Sequence, residues 1–479
     1  MFKSLVNAWK IPDLRKKMLF TLLIIVIYRI GSNVFVPFIN YQYIADAVKM
    51  SQLGGNFGIL GGSAFSNATL FALGVSPYIT TSIIMQLLAV AIPALERLSK
   101  SEDGKQKMAA ITRYVTVVIS IVTAIGYYLM LKNNTTGSLV DQTGNKGVDF
   151  FVAVVIIACF VAGSSLVMWL AERINEKGIG NGVSIILFIN IISRTPQMLK
   201  NIADVIDVSN DPAGYAQENI MSIIASGNFD YYNKLMELQG QSFLAGGIAY
   251  VVGMALFVLF LLWFIIHISD SERRIPIQYA KRVVGRKMYG GQNTNLPIKL
   301  NMAGVMPIIF ASSILGIPQM ILMFIPAETQ AEFNPFWRGF FTEFTSGTSV
   351  TLIILNLILI LAFAYFYVAI SFNPNEVAGN IQKNGGSIPG IRPGKPTADF
   401  VKKVLSKITF IGAAALAVIA VLPLIIQIIV NAVSPTIPFY VQEFVQSGTS
   451  IIIVVGVILE TLREIESQLS MRHYKGFLE

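Results

Sequence analysis

Gly74-Val-Ser-Pro-Tyr-Ile-Thr-Thr-Ser82 and Gly304-Val-Met-Pro-Ile-Ile-Phe-Ala-Ser312 share the pattern G-V-x-P-x-I-x-x-S, and each opens a long apolar run. A spanning helix needs roughly 20 mostly apolar residues to cross about 30 Å of hydrocarbon. Outward from these two stretches, such runs recur along the chain at 18–38, 74–93, 114–131, 150–170, 179–192, 244–268, 303–325, 350–370, 408–430 and 449–462. The matching stretches start the second and the seventh. Ten spans divided five and five place them at equivalent positions of two halves, and an odd number of helices per half gives the halves opposite topology. The fifth and tenth runs share short apolar cores, 183–192 and 451–459, the pattern expected where helices surround a cavity at the repeat interface.

Composition agrees with a bilayer as solvent. Of 479 residues, 54% are hydrophobic and 13% charged, against about 25% charged in soluble domains. The first run follows Asp13-Leu-Arg-Lys-Lys17 and lacks a small-residue cleavage site, so it reads as a retained first helix. The single cysteine, Cys159, lies in an apolar run, which excludes an intrachain disulfide and leaves it a packing role. Of the 36 Lys and Arg, only Lys49, Lys132, Lys146, Arg194, Lys200, Lys234 and Arg338 fall on one side, with Arg29 inside the first helix. The remainder share the side of the N-terminus, which the positive-inside rule makes cytoplasmic for both termini.

The segment 54–74 is too polar and glycine-rich to span and too apolar for an ordinary loop. Irregular backbone at membrane depth survives only when buried in protein or lining a watery cavity, and a short re-entrant helix near 63–72 fits that requirement. Two loops on the cytoplasmic side, 269–300 and 373–407, are long, basic and punctuated by Gly and Pro, and should project as docking surfaces. On the opposite side, 201–242 is polar and acidic and is expected to form a small cap.

Enzyme chemistry is poorly supplied. His267 and His473 are the only histidines, too few for a plausible metal or triad site. Gly390-Ile-Arg-Pro-Gly-Lys-Pro-Thr397 has one residue too few between its glycines for a phosphate loop, and Pro396 breaks any helix after the lysine. Gly178-Ile-Gly-Asn-Gly182 lacks a preceding strand and reads as the tight entry to the fifth span. Ion-coupled transporters keep ionisable groups inside their spans. Here Arg29 is nearly alone, near the outer end of the first helix, where snorkelling or a structural pair accounts for it. A cavity lined without charges suits a passive channel.

At this point the chain closely resembles the SecY family, the pore subunit of the protein-conducting channel that exports and inserts polypeptides. The resemblance runs nearly end to end and is carried by Tyr28-Arg-Ile-Gly31, Ala72-Leu-Gly-Val-Ser-Pro-Tyr-Ile79 through Gln86-Leu-Leu88, Gly178-Ile-Gly-Asn-Gly182, Tyr279-Ala-Lys-Arg282, Asn301-Met-Ala-Gly304 and Pro389-Gly-Ile-Arg-Pro-Gly394. It implies an all-α integral membrane fold of about ten transmembrane helices in two pseudo-symmetric inverted halves of five, with a re-entrant plug helix. The implied divisions are a cytoplasmic N-terminal segment 1–17, an N-terminal half 18–198, an extracytoplasmic loop 199–243, a C-terminal half 244–465 and a cytoplasmic tail 466–479.

By the same resemblance, the pore waist is Ile79, Ile83, Ile179, Val183, Ile309 and Ile453. The pairs 79/83 and 179/183 are spaced i, i+4, on one helical face. The plug is 61–72, beginning Gly61, Gly62, Ser63, Ala64, Phe65, Ser66, Asn67 and Ala68. Gln86 and Asn301 match polar positions of a lateral gate between spans two and three on one side and seven and eight on the other. Arg273, Arg274, Lys281, Arg282, Arg286, Lys287 and Arg392 match the surface that docks the SecA motor ATPase or the ribosome. Small SecE-like and SecG-like membrane subunits, the translocating polypeptide and membrane lipid are the other implied partners, the bacterial plasma membrane is the implied location, and no cofactor is implied. Segment 201–242 is longer than the family leads one to expect. Two other readings compete with the channel: an inverted-repeat secondary transporter of a small solute, which would need a polar midplane site, and a scaffold, in which waist substitutions would be silent.

Overall fold

Gly74 and Gly304 both adopt left-handed backbone, with φ of +53° and +63°, a conformation open to glycine because it has no Cβ. Val75 and Val305 then cap the two helices with nearly identical dihedrals, and Pro77 and Pro307 occupy the first turn, where the missing N–H has no intrahelical partner to lose. Ile79 N donates to the Val75 carbonyl at 3.0 Å and Ile309 N to the Val305 carbonyl at 3.2 Å. The sequence repeat is thus a repeat of conformation.

The computed structural model describes residues 2–40, 64–65, 67–132, 140, 144–218, 229–237, 244–279, 282–284, 287–289, 293–325, 329, 333–345, 349–433 and 447–475. The N-terminal half contains α1 Phe2–Lys10, α2 Pro12–Gly31, α3 Ser76–Ala91, α4 Pro93–Lys100, α5 Glu102–Lys132, α6 Lys146–Lys177 and α7 Gly182–Ile192. Three helices follow in the polar segment: α8 Thr195–Asn210, α9 Pro212–Glu218 and α10 Phe229–Glu237. Val208, Ala216 and Leu235 give that segment a small core of its own. The rest comprises α11 Leu244–Asp270, strands β1 Glu272–Tyr279, β2 Arg282–Val284, β3 Lys287–Tyr289 and β4 Asn293–Lys299, then α12 Met306–Leu322, α13 Pro335–Thr345, α14 Val350–Ser371, α15 Pro374–Lys383, β5 Gly386–Ser387, α16 Lys395–Val433 and α17 Ser447–Lys475.

Each of the ten apolar runs carries a helix. Asp103–Lys132, Lys146–Lys177, Leu244–Asp270, Val350–Lys383 and Lys395–Ile426 are long and apolar enough to cross a membrane, whereas α3, α7 and α12 are shorter apolar helices. At 11 residues, α7 rises about 17 Å, well short of the hydrocarbon thickness. Its entry is therefore satisfied by side chains: Asn181 Oδ1 accepts from the Val183 and Ser184 amides at 3.1 and 3.4 Å, and Gly182 N donates to Asn175 Oδ1 at 2.7 Å.

Four expectations need correction. The first run is not helical to residue 38. Its helix ends at Gly31, Ser32 returns its hydroxyl to the Tyr28 carbonyl, and the chain continues as turns with isolated bridges Phe35↔Thr69 and Ile39↔Val140. The helix expected at 63–72 is, in its described part, a pair of helical residues at 64–65 followed by turns over 67–75, because Leu70 N is drawn to the Val34 carbonyl at 2.8 Å instead of its own helix. The tenth run has a short apolar core, but its helix is 29 residues long and continues into the expected tail. Finally, the two basic loops are built partly of sheet. β1 pairs antiparallel with β4 over Glu272↔Lys299 to Gln278↔Asn293, and its far end pairs with β5 at Gln278↔Ser387 and Tyr279↔Gly386. The inward residues Ile275, Ile298 and Ile388 pack on Val368 of α14 and on Val401, Leu405 and Ile408 of α16. The alternation in Arg273-Arg-Ile-Pro-Ile-Gln278 is the period-two signal for such a strand.

Candidate functional site

The conformational repeat sets Ile79 of α3 and Ile309 of α12 at the same point of two helices, one turn after the cap. Both enter one buried cluster, joined by Ile83 a turn further along α3 and by Ile453 of α17, with Val183 of α7 packed against it. Ile179 is not part of it. It precedes α7, its amide donates to Thr21 Oγ1 at 3.0 Å, and its side chain packs with Ala8, Leu14 and Ile465 at a separate point. From α7 the cluster also takes Ile185, Ile186 and Leu187, with Phe188, Ile189 and Ile191 packed at its edge; of these, Leu187 and Ile191 share the face of Val183. Positions 183, 187 and 191 lie on one helical face, and extending the i, i+4 spacing forward along α7 rather than backward into the loop was the signal available for them.

A pore waist of such residues, as the resemblance implies, would have a definite physical effect. Branched aliphatic side chains crowding a narrow passage expel water and with it ions, while their rotamers can move aside for a bulky chain. Of the polar groups nearby, the Tyr28 hydroxyl donates to Asn190 Oδ1 at 2.7 Å, whereas the buried Ser184 hydroxyl of α7 has no hydrogen-bond partner among the described residues. Among the described residues, no group of His, Cys, Asp and Glu is placed to hold a metal ion.

The segment expected as a plug lies partly outside the described residues, which include Ala64, Phe65, Asn67 and Ala68 but not Gly61, Gly62, Ser63 or Ser66. Ala64, Phe65 and Ala68 are buried and Asn67 is half-buried. Phe65 and Ala68 belong to a second cluster with Tyr127 and Leu131 of α5 and Ile156 and Phe160 of α6. The Phe65 ring lies 4.8 Å from that of Tyr127, and Phe71 stacks on Tyr28 at 5.5 Å. Gly163 of α6 receives the Leu70 carbonyl so closely that a Cβ there would stand 1.8 Å from the oxygen.

The expected gate pair is not joined by a hydrogen bond among those described. Gln86 Nε2 donates to Ser82 Oγ within α3 at 3.3 Å, and Asn301 sits half-buried in the turn between β4 and α12. The helices on either side of the expected gate are in contact: α12 packs on α3 and on α5, and Thr123 Oγ1 of α5 contacts Met320 Sδ of α12 at 3.8 Å.

The described basic positions divide between two sheets, β4-β1-β5 and the β2-β3 hairpin. Arg273 and Arg274 are exposed on β1, the second paired with Glu272 at 2.6 Å, and Arg392 is exposed in the following loop. Arg282 and Lys287 belong to the short hairpin of β2 and β3, and Lys281 and Arg286 lie outside the described residues. Beside the first of these sheets α17 bridges the halves. Its Glu464 accepts from Gly180 N at 2.7 Å, while Arg463 pairs with Asp270 at 3.0 Å and donates to the Ser269 carbonyl at 2.5 Å.

Short apolar helices meet here in one buried aliphatic cluster, with Phe65 and Ala68 packed in a second cluster beside α5 and α6. Solved structures share this fold: one described as a protein conducting channel matches with a TM-score of 0.52 at 15% identity over 96% of both chains. Another, in which the plug domain of SecY stabilises the closed state, matches with a TM-score of 0.53 at 17% identity over 96% of both chains. The SecY family model matches residues 69–462. Over its whole length the chain is 41% identical to the protein translocase subunit SecY of Streptomyces coelicolor and 37% identical to that of Mycobacterium bovis, covering 100% of each. The class is therefore that of protein-conducting channels. The chain belongs to the SecY family. Its function is that of the central channel subunit in protein translocation, not that of an enzyme, and the solute-transporter reading finds no support.

Proposed function

We propose that Ile79, Ile83, Val183, Ile309 and Ile453, extended by Leu187 and Ile191, form the waist of the conducting pore. The segment 61–72 acts as its plug. The observation that carries this reading is the convergence of aliphatic side chains from four helices, α3, α7, α12 and α17, in one cluster. An unfolded polypeptide passes by displacing the plug and spreading the waist, whose side chains then seal around it. Hydrophobic segments leave sideways where α12 meets α3 and α5, with Gln86 and Asn301 as polar positions along that seam. Interhelical hydrogen bonds in membranes are worth about 1 kcal/mol or less, weak enough for reversible opening.

The bias of Lys and Arg supports cytoplasmic termini and a cytoplasmic platform, and the relatives from Streptomyces and Mycobacterium support a bacterial plasma membrane. The divisions 1–17, 18–198, 199–243, 244–465 and 466–479 follow. The platform carrying Arg273, Arg274, Lys281, Arg282, Arg286, Lys287 and Arg392 docks a SecA-like motor or a ribosome, since basic surfaces suit acidic partners and RNA phosphates. Small SecE-like and SecG-like subunits complete the assembly.

Ion conductance of the purified protein in a planar bilayer tests the core of this. Wild type should be tight, and both Ile309→Gly and deletion of 61–72 should leak. If all three stay closed, neither the waist nor the plug is where we put it.

A further inference from the structure

Helix α13 follows α12, the seventh apolar run, which itself follows β4; with α12 crossing the membrane once, as the proposed channel requires, α13 falls on the side opposite the sheet. Its 11 residues rise about 17 Å, too little to span. Aromatic rings recur at 336, 337, 340, 341 and 344 in Pro335-Phe-Trp-Arg-Gly-Phe-Phe-Thr-Glu-Phe-Thr345, a helical stripe. One edge of the stripe faces the protein: Phe341 and Phe344 are half-buried, and the Phe344 carbonyl accepts from Gln319 Nε2 of α12 at 3.0 Å. The other edge is open, with Phe336 72% and Trp337 52% exposed and Phe340 beside them. These rings pack edge-to-face, Phe336 on Trp337 at 5.6 Å and Trp337 on Phe340 at 6.0 Å, so they form one aromatic face.

The neighbouring helices identify what covers that face. α12 exposes Ile317 and Ile321 near its end, α14 exposes Val350, Ile354 and Ile358 from its start, and both helices touch α13. In a membrane protein such aliphatic stripes face lipid, and the aromatic face continues them at the level where the spans end. Tryptophan and phenylalanine on a short amphipathic helix suit the boundary between headgroups and acyl chains, where a ring can be half desolvated. We propose that α13 lies in the plane of the membrane on the side opposite the sheet, and that Phe336, Trp337 and Phe340 grip phospholipid there. Through Gln319 this anchor holds the end of α12, a seam helix, at constant depth. The inference rests on membrane residence and on the proposed crossing of α12, not on the waist residues, so its failure would leave the waist untouched.

The test uses the full chain in phosphatidylcholine vesicles, with Trp9, Trp169 and Trp263 replaced by Phe so that Trp337 reports alone. Its fluorescence should be quenched several-fold more by lipids brominated near the headgroup end of the acyl chain than by lipids brominated near the methyl end, and should resist aqueous iodide. Iodide quenching without bromolipid quenching would mean that the face points into water. Shielding from both would mean that protein covers it, such as a second copy of the chain, and either result overturns the proposal. A nitroxide at Phe340→Cys in a Cys159→Ser background, read by its relative accessibility to oxygen and to an aqueous nickel chelate, checks the same prediction with all four tryptophans retained.

Discussion

Tyr127 donates its hydroxyl to the Phe65 carbonyl at 2.6 Å, and both residues are buried. The Tyr127 ring also meets Phe160 at 5.1 Å, so one side chain of α5 holds the described part of the segment proposed as a plug by packing and by hydrogen bonding together. Replacing Tyr127 by Phe keeps the rings and leaves the Phe65 carbonyl with the Ala68 amide, 3.3 Å away, as its donor, at a cost of about 0.5–1.5 kcal/mol. Halide efflux from proteoliposomes should therefore rise, in proportion to a roughly two- to tenfold greater release of the segment. Efflux equal to wild type would show that this contact does not hold the seal.

The approach of Leu70 to Gly163 leads to a second prediction. A Cβ at 163 would meet backbone oxygen at 1.8 Å, which no side-chain rotation can relieve, so Gly163→Ala should displace the 67–75 turns or separate them from α6. Gly246→Ala on α11, where nothing lies within 4 Å of the added carbon, is the matched control. We expect a lower melting temperature and a larger leak for the first and neither for the second. Equal behaviour of the two would mean that the close approach is dispensable.

The pairing of β1 with β5 makes one platform of two basic loops that are about 100 residues apart in the chain. Gly386 is needed there, since its Cβ would come within 2.9 Å of Tyr279 Cε1 and 3.1 Å of Ile277 Cγ2 and Ile381 Cγ2. Gly386→Val should unzip β5, which hydrogen exchange would register as faster exchange across 386–387 and 278–279. Binding of a motor ATPase or ribosome should weaken even though no basic residue has been changed. Retained protection with retained binding would disconnect the pairing from docking.

Glu464 and Arg463, adjacent on α17, reach opposite halves of the chain. Because the Gly180 amide needs only an acceptor, Glu464→Gln should be nearly neutral. Glu464→Ala removes a charge-assisted bond and should destabilise by about 1–3 kcal/mol. Thermal unfolding in nanodiscs separates the two variants, and equal melting temperatures would remove the bond from any role in holding the halves.

The repeat at 74–82 and 304–312 was legible because everything that makes it is local. A left-handed glycine, a valine cap and a first-turn proline act within one turn of helix, and short-range sterics act the same way wherever the motif falls. Apolar run length located the spans for a similar reason, since the bilayer imposes one dimension on every crossing. Where a run's helix began or ended was a different matter. Spacing makes Ile179 equivalent to Val183, but α7 starts only at Gly182, so within the helix the residue one turn from Val183 on the same face is Leu187. Likewise, the run at 18–38 promised one helix, and the competition of Val34 for the Leu70 amide ended it early.

Membrane residence, the number of crossings and the inverted halves thus follow from patterns confined to a few residues or to run length. Contacts between distant segments do not follow from such patterns. The docking of Phe65 under Tyr127, the strand that unites two loops and the reach of α17 across both halves each depend on which surfaces meet after folding. A carbonyl or an amide in one segment carries no mark in the sequence of the partner that satisfies it, and packing between helices made that choice.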